Sequence, residues 1–173
     1  MINKNEIYSD MTNLVAKLSK DKNTHIGAVI IGVNGEPISW GYNGTIAGFP
    51  DEYIPHSRDE KELSYFEGDK LIDITSNKYP FMCHAESNAI FYADKSKLIG
   101  ATLYVNSMPC KLCAKEIARA KIGQVVVNNG VVINGGTLGL DDAITKFIFA
   151  TAGIKLIIDG VDVKLSNIFS KNV

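Results

Sequence analysis

The sequence predicts an α/β fold, with a mixed or parallel sheet of about five strands and helices on both faces. Three observations carry this. Strand and helix patterns alternate from His84 to Ile158, two apolar runs flank Asn34-Gly35, and an amphipathic helix precedes them both. Such alternation feeds parallel strands through crossover helices, whereas Asn-Gly between two strands is the strongest short signal for an antiparallel hairpin.

Each element has its own warrant. Ile7, Met11, Leu14, Val15 and Leu18 recur at helical spacing, and the Lys-rich segment Lys17 to Asn23 closes that first helix. Ile26 to Val33 is β-branched and apolar, and Glu36 to Tyr42 supplies its hairpin partner. A helix from His84 to Asp94, a strand from Ala101 to Asn106, a helix from Cys110 to Ala120 and a buried strand from Gln124 to Asn128 follow. Leu140 to Ala152 reads as one more helix, with Asp141 and Asp142 suiting its N-terminus and Gly153 stopping it. Ile154 to Ile158 is the last strand, and no pattern is legible after Asp159. Between Asp51 and Tyr79 the composition changes to eight acidic and four basic residues with sparse aliphatic periodicity, bounded by Pro55 and Pro80. This predicts a surface insertion at about 51–80, partly helical, on a single domain covering 1–173.

Composition narrows the function class. Eighteen Lys and Arg stand against 19 Asp and Glu, a formal charge of −1, with 46% apolar residues. A chain of 173 residues buries enough surface for a core without disulfide staples. No run approaches the roughly 18 apolar residues of a membrane span, and the start MINKNEIYSDMTN lacks an apolar signal core, so a cytoplasmic protein is expected. No basic block marks a nucleic-acid or membrane-surface binder, although a small anionic substrate fits. Three cysteines in such a chain point to metal or catalytic chemistry rather than disulfides.

The chemistry concentrates at two predicted helix starts. His84-Ala85-Glu86 opens one, and Pro109-Cys110-Lys111-Leu112-Cys113 opens the other, one strand later. Cysteines three apart at a helix start project to one side, so both sulfurs can reach one tetrahedral ion, with His84 as the third ligand. Three protein ligands leave a fourth position for water, the coordination of a catalytic rather than a structural zinc. Helix N-termini favour thiolates there. Glu86 lies two residues from His84 on a different azimuth and can face the bound water, whose pKa zinc lowers to about 7, as a proton shuttle. A lone C-x-x-C also suits a redox pair or half of a structural site, but its conjunction with H-x-E is the signature of the zinc deaminases.

With these residues the chain resembles the cytidine and deoxycytidylate deaminase superfamily, and the deoxycytidylate (dCMP) deaminases in particular, from about Val15 to Ile158. The matching pieces are Ser19-Lys20-Asp21, Thr24-His25-Ile26-Gly27-Ala28-Val29-Ile30, Gly41-Tyr42-Asn43-Gly44, Lys78-Tyr79-Pro80, Cys83 to Ile90, and Ala101 to Val105. The resemblance implies a cytidine-deaminase-like three-layer α/β/α fold and hydrolytic deamination of dCMP to dUMP and ammonia, supplying dUMP for thymidylate synthesis. It implies that a metal-activated water adds to C4 of cytosine while Glu86 protonates N3 and later the leaving amine. The amide of Ala85 would bond the base carbonyl, Ile26 would pack on the ring, Asn43 would bond the sugar, and His25 would lie toward the phosphate. It further implies a homo-oligomer, a hexamer or smaller, regulated allosterically by dCTP and dTTP with Mg2+, with Gly41-Tyr42-Asn43-Gly44 and the following Thr45 to Gly48 as the effector region.

Departures bound these expectations. Asp51 to Tyr79 holds no cysteine and only His56, so no second, structural zinc is expected and the cofactor is one Zn2+ per chain. His56 reads as surface, and Cys83 as a buried apolar cysteine outside the ligand set. Met108 stands where tRNA adenosine deaminases normally carry Glu, and the clustered positive charge that neutralises RNA phosphates is missing. The alternatives are a deaminase of another cytosine nucleoside or nucleotide, a tRNA adenosine deaminase, and an inactive zinc-binding module.

Overall fold

The structure, a computed structural model, describes residues 3–128 and 138–166. Helix α1 covers Lys4–Ala16; Asn3 caps it by accepting from the amide of Asn5 at 3.2 Å. Strands β1 (Gly27–Ile31) and β2 (Pro37–Tyr42) form the hairpin, and a short β3 (Gly44–Thr45) follows. Strands β4 (Lys61–Glu67) and β5 (Lys70–Ser76) occupy the insertion, and β6 (Met82–Cys83) pairs with β3. Then come α2 (Ala85–Phe91), β7 (Thr102–Val105), α3 (Lys111–Arg119), β8 (Gln124–Val127), α4 (Leu138–Ala152), β9 (Lys155–Ile158) and β10 (Val161–Val163).

The main sheet has the order β10-β9-β8-β7-β1-β2. Strands β7, β8 and β9 run parallel, while β1 is antiparallel to β2 and β7, and β10 to β9. The sheet is therefore mixed, as expected, with six strands instead of five. The sixth is β10, which returns across Asp159 and Gly160 at φ values of 46° and 81°, the pair of left-handed residues that a type I′ turn requires. Alternate residues face opposite layers. Ala28, Ile30, Leu103 and Val125 pack under α2, α3 and α4, whereas Val29, Ile31, Tyr104 and Val126 meet Tyr8, Met11 and Val15 of α1. No helix among the described residues is long and apolar enough to cross a membrane.

The insertion differs from its expected, partly helical character. Apart from one 3-10 turn at Tyr79–Phe81, its regular structure is the β4–β5 hairpin, in continuous register from Lys61↔Ser76 to Glu67↔Lys70. β-Branched and aromatic residues (Tyr65, Phe66, Ile72, Ile74, Thr75) and the left-handed Gly68 at φ 63° explain why charge composition misled here.

Two devices hold the elements that matter for chemistry. First, α2 lies directly on β2: a Cβ on Gly41 would stand 2.4 Å from both the Ala85 carbonyl oxygen and the Ala89 nitrogen. The Ser39 hydroxyl donates to the Ala89 carbonyl at 2.7 Å, and the Asn88 amide to the Tyr42 carbonyl at 2.8 Å. Second, three side chains pin the loop before β1. Asn43 accepts from the Ile26 amide at 2.8 Å and donates to the Thr24 carbonyl at 2.9 Å. Asn106 accepts from the Gly27 amide at 2.9 Å and donates to the His25 carbonyl at 3.3 Å. The buried Asp21 accepts from the amides of Asn23 and Thr24, and the equally buried Lys78 ammonium reaches both its oxygens at 2.6 Å. Burial alone would raise the Asp21 carboxyl, but the Lys78 bond and the two amides more than offset it and hold it below the usual range.

Gly41→Ala is expected to lower the free energy of unfolding by about 3 kcal/mol, read by urea titration, because the added carbon meets backbone that cannot rotate away. Asp21→Asn should cost about 3–5 kcal/mol by leaving the Lys78 charge buried and unpaired, whereas the double variant Asp21→Asn with Lys78→Met should lose far less. The folded Asp21 carboxyl titrates below its unfolded value of about 3.9. Its contribution is therefore complete above that pH and drains away as pH falls through the folded value; urea melts of the parent and Asp21→Asn between pH 6 and pH 2 should converge.

Candidate active site

Residues 84 and 110 occupy equivalent places in the fold. His84 is the N-cap of α2 and Cys110 the N-cap of α3, both with extended backbone, and neither side chain caps its own helix. Each is thereby free to turn toward the other. Cys113 lies one turn into α3, buried beneath the pair. The Cys110 and Cys113 sulfurs are 3.7 Å apart, and the His84 Nδ1 is 3.2 Å from Cys113 and 3.5 Å from Cys110. An ion with zinc–sulfur bonds of about 2.3 Å and a zinc–nitrogen bond of about 2.0 Å in tetrahedral array needs sulfurs roughly 3.8 Å apart and nitrogen roughly 3.5 Å from each. The three donors meet that demand, and two thiolates with one imidazole are a zinc-type set.

The three groups polarise one another. The Cys113 hydrogen bond, aided by His84 and resisted by burial, holds Cys110 down to about 3. Cys113 is correspondingly pushed up, chiefly by its bond to the Cys110 sulfur. His84 is raised to about 9, first by the hydrogen bond to Cys110. A bound cation takes the place of these shared protons, so metal affinity at the site is linked to pH.

Glu86 lies in the first turn of α2, 5% exposed. Burial raises its carboxyl above the usual range, against the pull of its own backbone amide and the charge of His84. Ala85, buried before it, presents a first-turn amide of the kind that a helix leaves without an internal partner. His84, Ala85, Glu86, Cys110 and Cys113 thus converge at the ends of two helices. Ile26 and Asn43 stand at the neighbouring end of β1 and β2. Ile26 is half-buried against the main core. Asn43 is 9% exposed, and its loop-pinning bonds use one amide hydrogen and one oxygen lone pair, leaving one of each. His25 is exposed, its Nε2 2.8 Å from the Asp21 carbonyl oxygen.

Two side expectations need adjusting. Cys83 is only half-buried, because it sits on the short β6 rather than in the core, and it is outside the His84–Cys110–Cys113 group. His56 is half-buried beside Asp51, 3.2 Å from its carbonyl oxygen. Sequence reasoning also missed the supporting groups. Ser87 bridges Glu116 at 2.5 Å and the Cys113 sulfur at 3.9 Å, and Thr145 of α4 donates to the Pro109 carbonyl just before Cys110 at 3.1 Å. Spacing held a hint for the first two, since Ser87 lies three residues after His84 and Glu116 three after Cys113. An open groove of about 2080 Å3 runs from His84 and Cys113 past Gly41 to the exposed rings of Trp40, Phe91 and Tyr92.

Comparison with known proteins agrees with this arrangement. Residues 2–129 match the cytidine and deoxycytidylate deaminase zinc-binding region. The chain is 36% identical over 121 residues to deoxycytidylate deaminase of Pongo abelii and 35% identical over 121 residues to that of Homo sapiens. Each alignment covers 70% of this chain and 62% of the relative, so the chain spans less than two thirds of the length of these relatives. Among solved structures, the dCMP deaminase of cyanophage S-TIM5 in complex with dCMP and dUMP superposes with a TM-score of 0.59 at 25% identity, covering 88% of this chain and 94% of that one. The six-stranded mixed sheet with its helices is the dCMP deaminase fold. With two tetrahedrally disposed thiols and an imidazole at paired helix starts, and a family match over most of its length, this chain belongs to the cytidine and deoxycytidylate deaminase family.

Proposed function

We propose that this single domain, with its surface insertion at 51–80, catalyses the hydrolytic deamination of dCMP to dUMP and ammonia. One observation carries the reading: His84, Cys110 and Cys113 stand at tetrahedral separations beside the buried Glu86, in a chain related to deoxycytidylate deaminases. His84, Cys110 and Cys113 would hold one zinc, which when bound supplies a water acidified to near neutrality. Glu86 would take one proton from the attacking water and deliver it to N3 of cytosine, then take the second from the hydroxyl added at C4 and pass it to the 4-amino group, so that the C4–N bond breaks, ammonia leaves and the C4 carbonyl forms. Its burial excludes bulk water from these transfers. The Ala85 amide bonds the base carbonyl, Ile26 covers the ring, and Asn43 offers its remaining hydrogen and lone pair to the sugar. His25, exposed at the loop before β1, lies toward the phosphate.

The product supplies thymidylate synthesis in the cytoplasm. In this reading the chain is a homo-oligomer, a hexamer or smaller, and the exposed Trp40, Phe91, Tyr92 and Leu112 support a partner on the groove. Binding of dCTP and dTTP with Mg2+ near Thr45 to Gly48 would regulate it. An ultraviolet assay across cytidine, deoxycytidine, CMP, dCMP and dCTP, with and without dCTP and dTTP as effectors, tests the whole assignment.

Metal analysis should return one zinc per chain, with Cys110→Ala losing both zinc and turnover. Glu86→Gln should keep the zinc and the fold while turnover drops by about 10²–10⁴-fold; activity within about tenfold of the parent would remove Glu86 from the proton path.

Preference for dCMP over deoxycytidine should be large, because a phosphate held by charged hydrogen bonds outweighs a neutral contact. Asn43→Ala should lower kcat/KM for dCMP at unchanged zinc content. Equal turnover of deoxycytidine would shift the assignment to a nucleoside deaminase.

A further inference from the structure

The β4–β5 hairpin is a two-stranded ribbon with no third strand among the described residues. Such ribbons are marginal in water by themselves, and an open strand edge is normally guarded by charge, proline or a bulge. Here the register runs without a bulge and neither strand contains proline. Directly opposed residues share a face, so Leu63/Ile74 and Tyr65/Ile72 form one apolar face flanked by Lys61 and Glu67. Tyr65 and Ile74 remain exposed on it.

The two edges are not equivalent. In a two-residue hairpin the flanking pair, Glu67 and Lys70, exchanges backbone hydrogen bonds, so 65/72, 63/74 and 61/76 do as well. The backbone groups of Glu62, Ser64 and Phe66 therefore point away from β5, and no described residue bonds to them. A twofold axis through Ser64 pairs this edge with its own copy in the only parity that antiparallel bonding allows, Glu62 against Phe66, Ser64 against Ser64, and the reverse. The same axis sets Lys61 opposite Glu67 and Leu63 opposite Tyr65, each twice. All seven residues of β4 then find partners, opposite charges meet, and rows of Ile74, Leu63, Tyr65 and Ile72 run unbroken across four strands. The equivalent axis on β5 passes through Asp73 and would oppose two carboxylates, which is destabilising.

We infer that β4 is a dimerisation edge, joined across a twofold axis at Ser64 to β4 of a second copy of this chain. The inference deepens the homo-oligomer reading above and rests on it; the deamination reaction is not involved.

The zinc-loaded full chain tests it. Paired residues in an antiparallel hydrogen-bonded site have Cα atoms about 5.5 Å apart, within disulfide range. Ser64→Cys should therefore form a covalent dimer under mild oxidation, seen on a non-reducing gel, whereas Asp73→Cys on the other edge should not. Lys61→Glu opposes carboxylates twice and should weaken the dimer about tenfold by sedimentation, and Lys61→Glu with Glu67→Lys should recover most of it. An oligomer in which Ser64→Cys fails to cross-link, or cross-links no better than Asp73→Cys, overturns the edge alone. Unchanged association of Lys61→Glu does the same should Ser64→Cys not fold. A monomeric parent by light scattering overturns both this inference and the homo-oligomer reading.

Discussion

The constraint on which the geometry of the candidate site depends is the backbone contact between α2 and β2. With Gly41 facing the Ala85 carbonyl and the Ala89 nitrogen, the helix approaches the sheet as closely as main chain allows. That depth places His84 level with the start of α3, where the parallel β7–α3–β8 crossover delivers Cys110. Neither helix could shift by a side-chain diameter without separating the imidazole from the sulfurs. The metal-binding geometry is thus a consequence of packing two helices on one sheet face, with Ala85, Ala89 and Ala114 keeping the layers near.

A polar frame supports the other side. Asp21, Asn43 and Asn106 together engage the backbone of Asn23, Thr24, His25, Ile26 and Gly27, so an irregular loop is nearly as constrained as a strand. Lys78 extends that frame to the far end of the insertion. Its buried ammonium is acceptable only because both Asp21 oxygens and Asn23 surround it. The insertion is consequently tied to the loop before β1 at both ends, by the Lys20–Asp51 pair and by Lys78, while its hairpin pairs with no other strand among the described residues.

Much of this was legible in the sequence, and the parts that were not have specific physical causes. The alternation after His84 and the Asn34-Gly35 turn predicted the sheet, because periodicity reports burial directly. The sixth strand is hard to read from sequence although Asp159-Gly160 is itself a hairpin signal, since only three residues follow it in the strand. In the insertion the charges mask the strand signal, and the backbone follows the β-branched and aromatic residues between them. The grouping of His84, Cys110 and Cys113 is legible because short spacing on a helix start fixes where the donor atoms lie. Asp21 with Lys78, and Ser87 with Glu116, meet across 57 and 29 residues, and no local spacing encodes such a meeting.

The cap positions of α2 and α3 carry one more consequence. An N-cap side chain ordinarily satisfies an amide of its own helix and contributes about 1 kcal/mol, yet His84 and Cys110 both forgo that bond. Each helix start is instead anchored through a side chain directed at the neighbouring helix. A metal bound by the three donors would therefore close the two helix ends as a single staple, added to the packing that already holds them. The gain in stability from that staple would grow with the concentration of free metal relative to its dissociation constant.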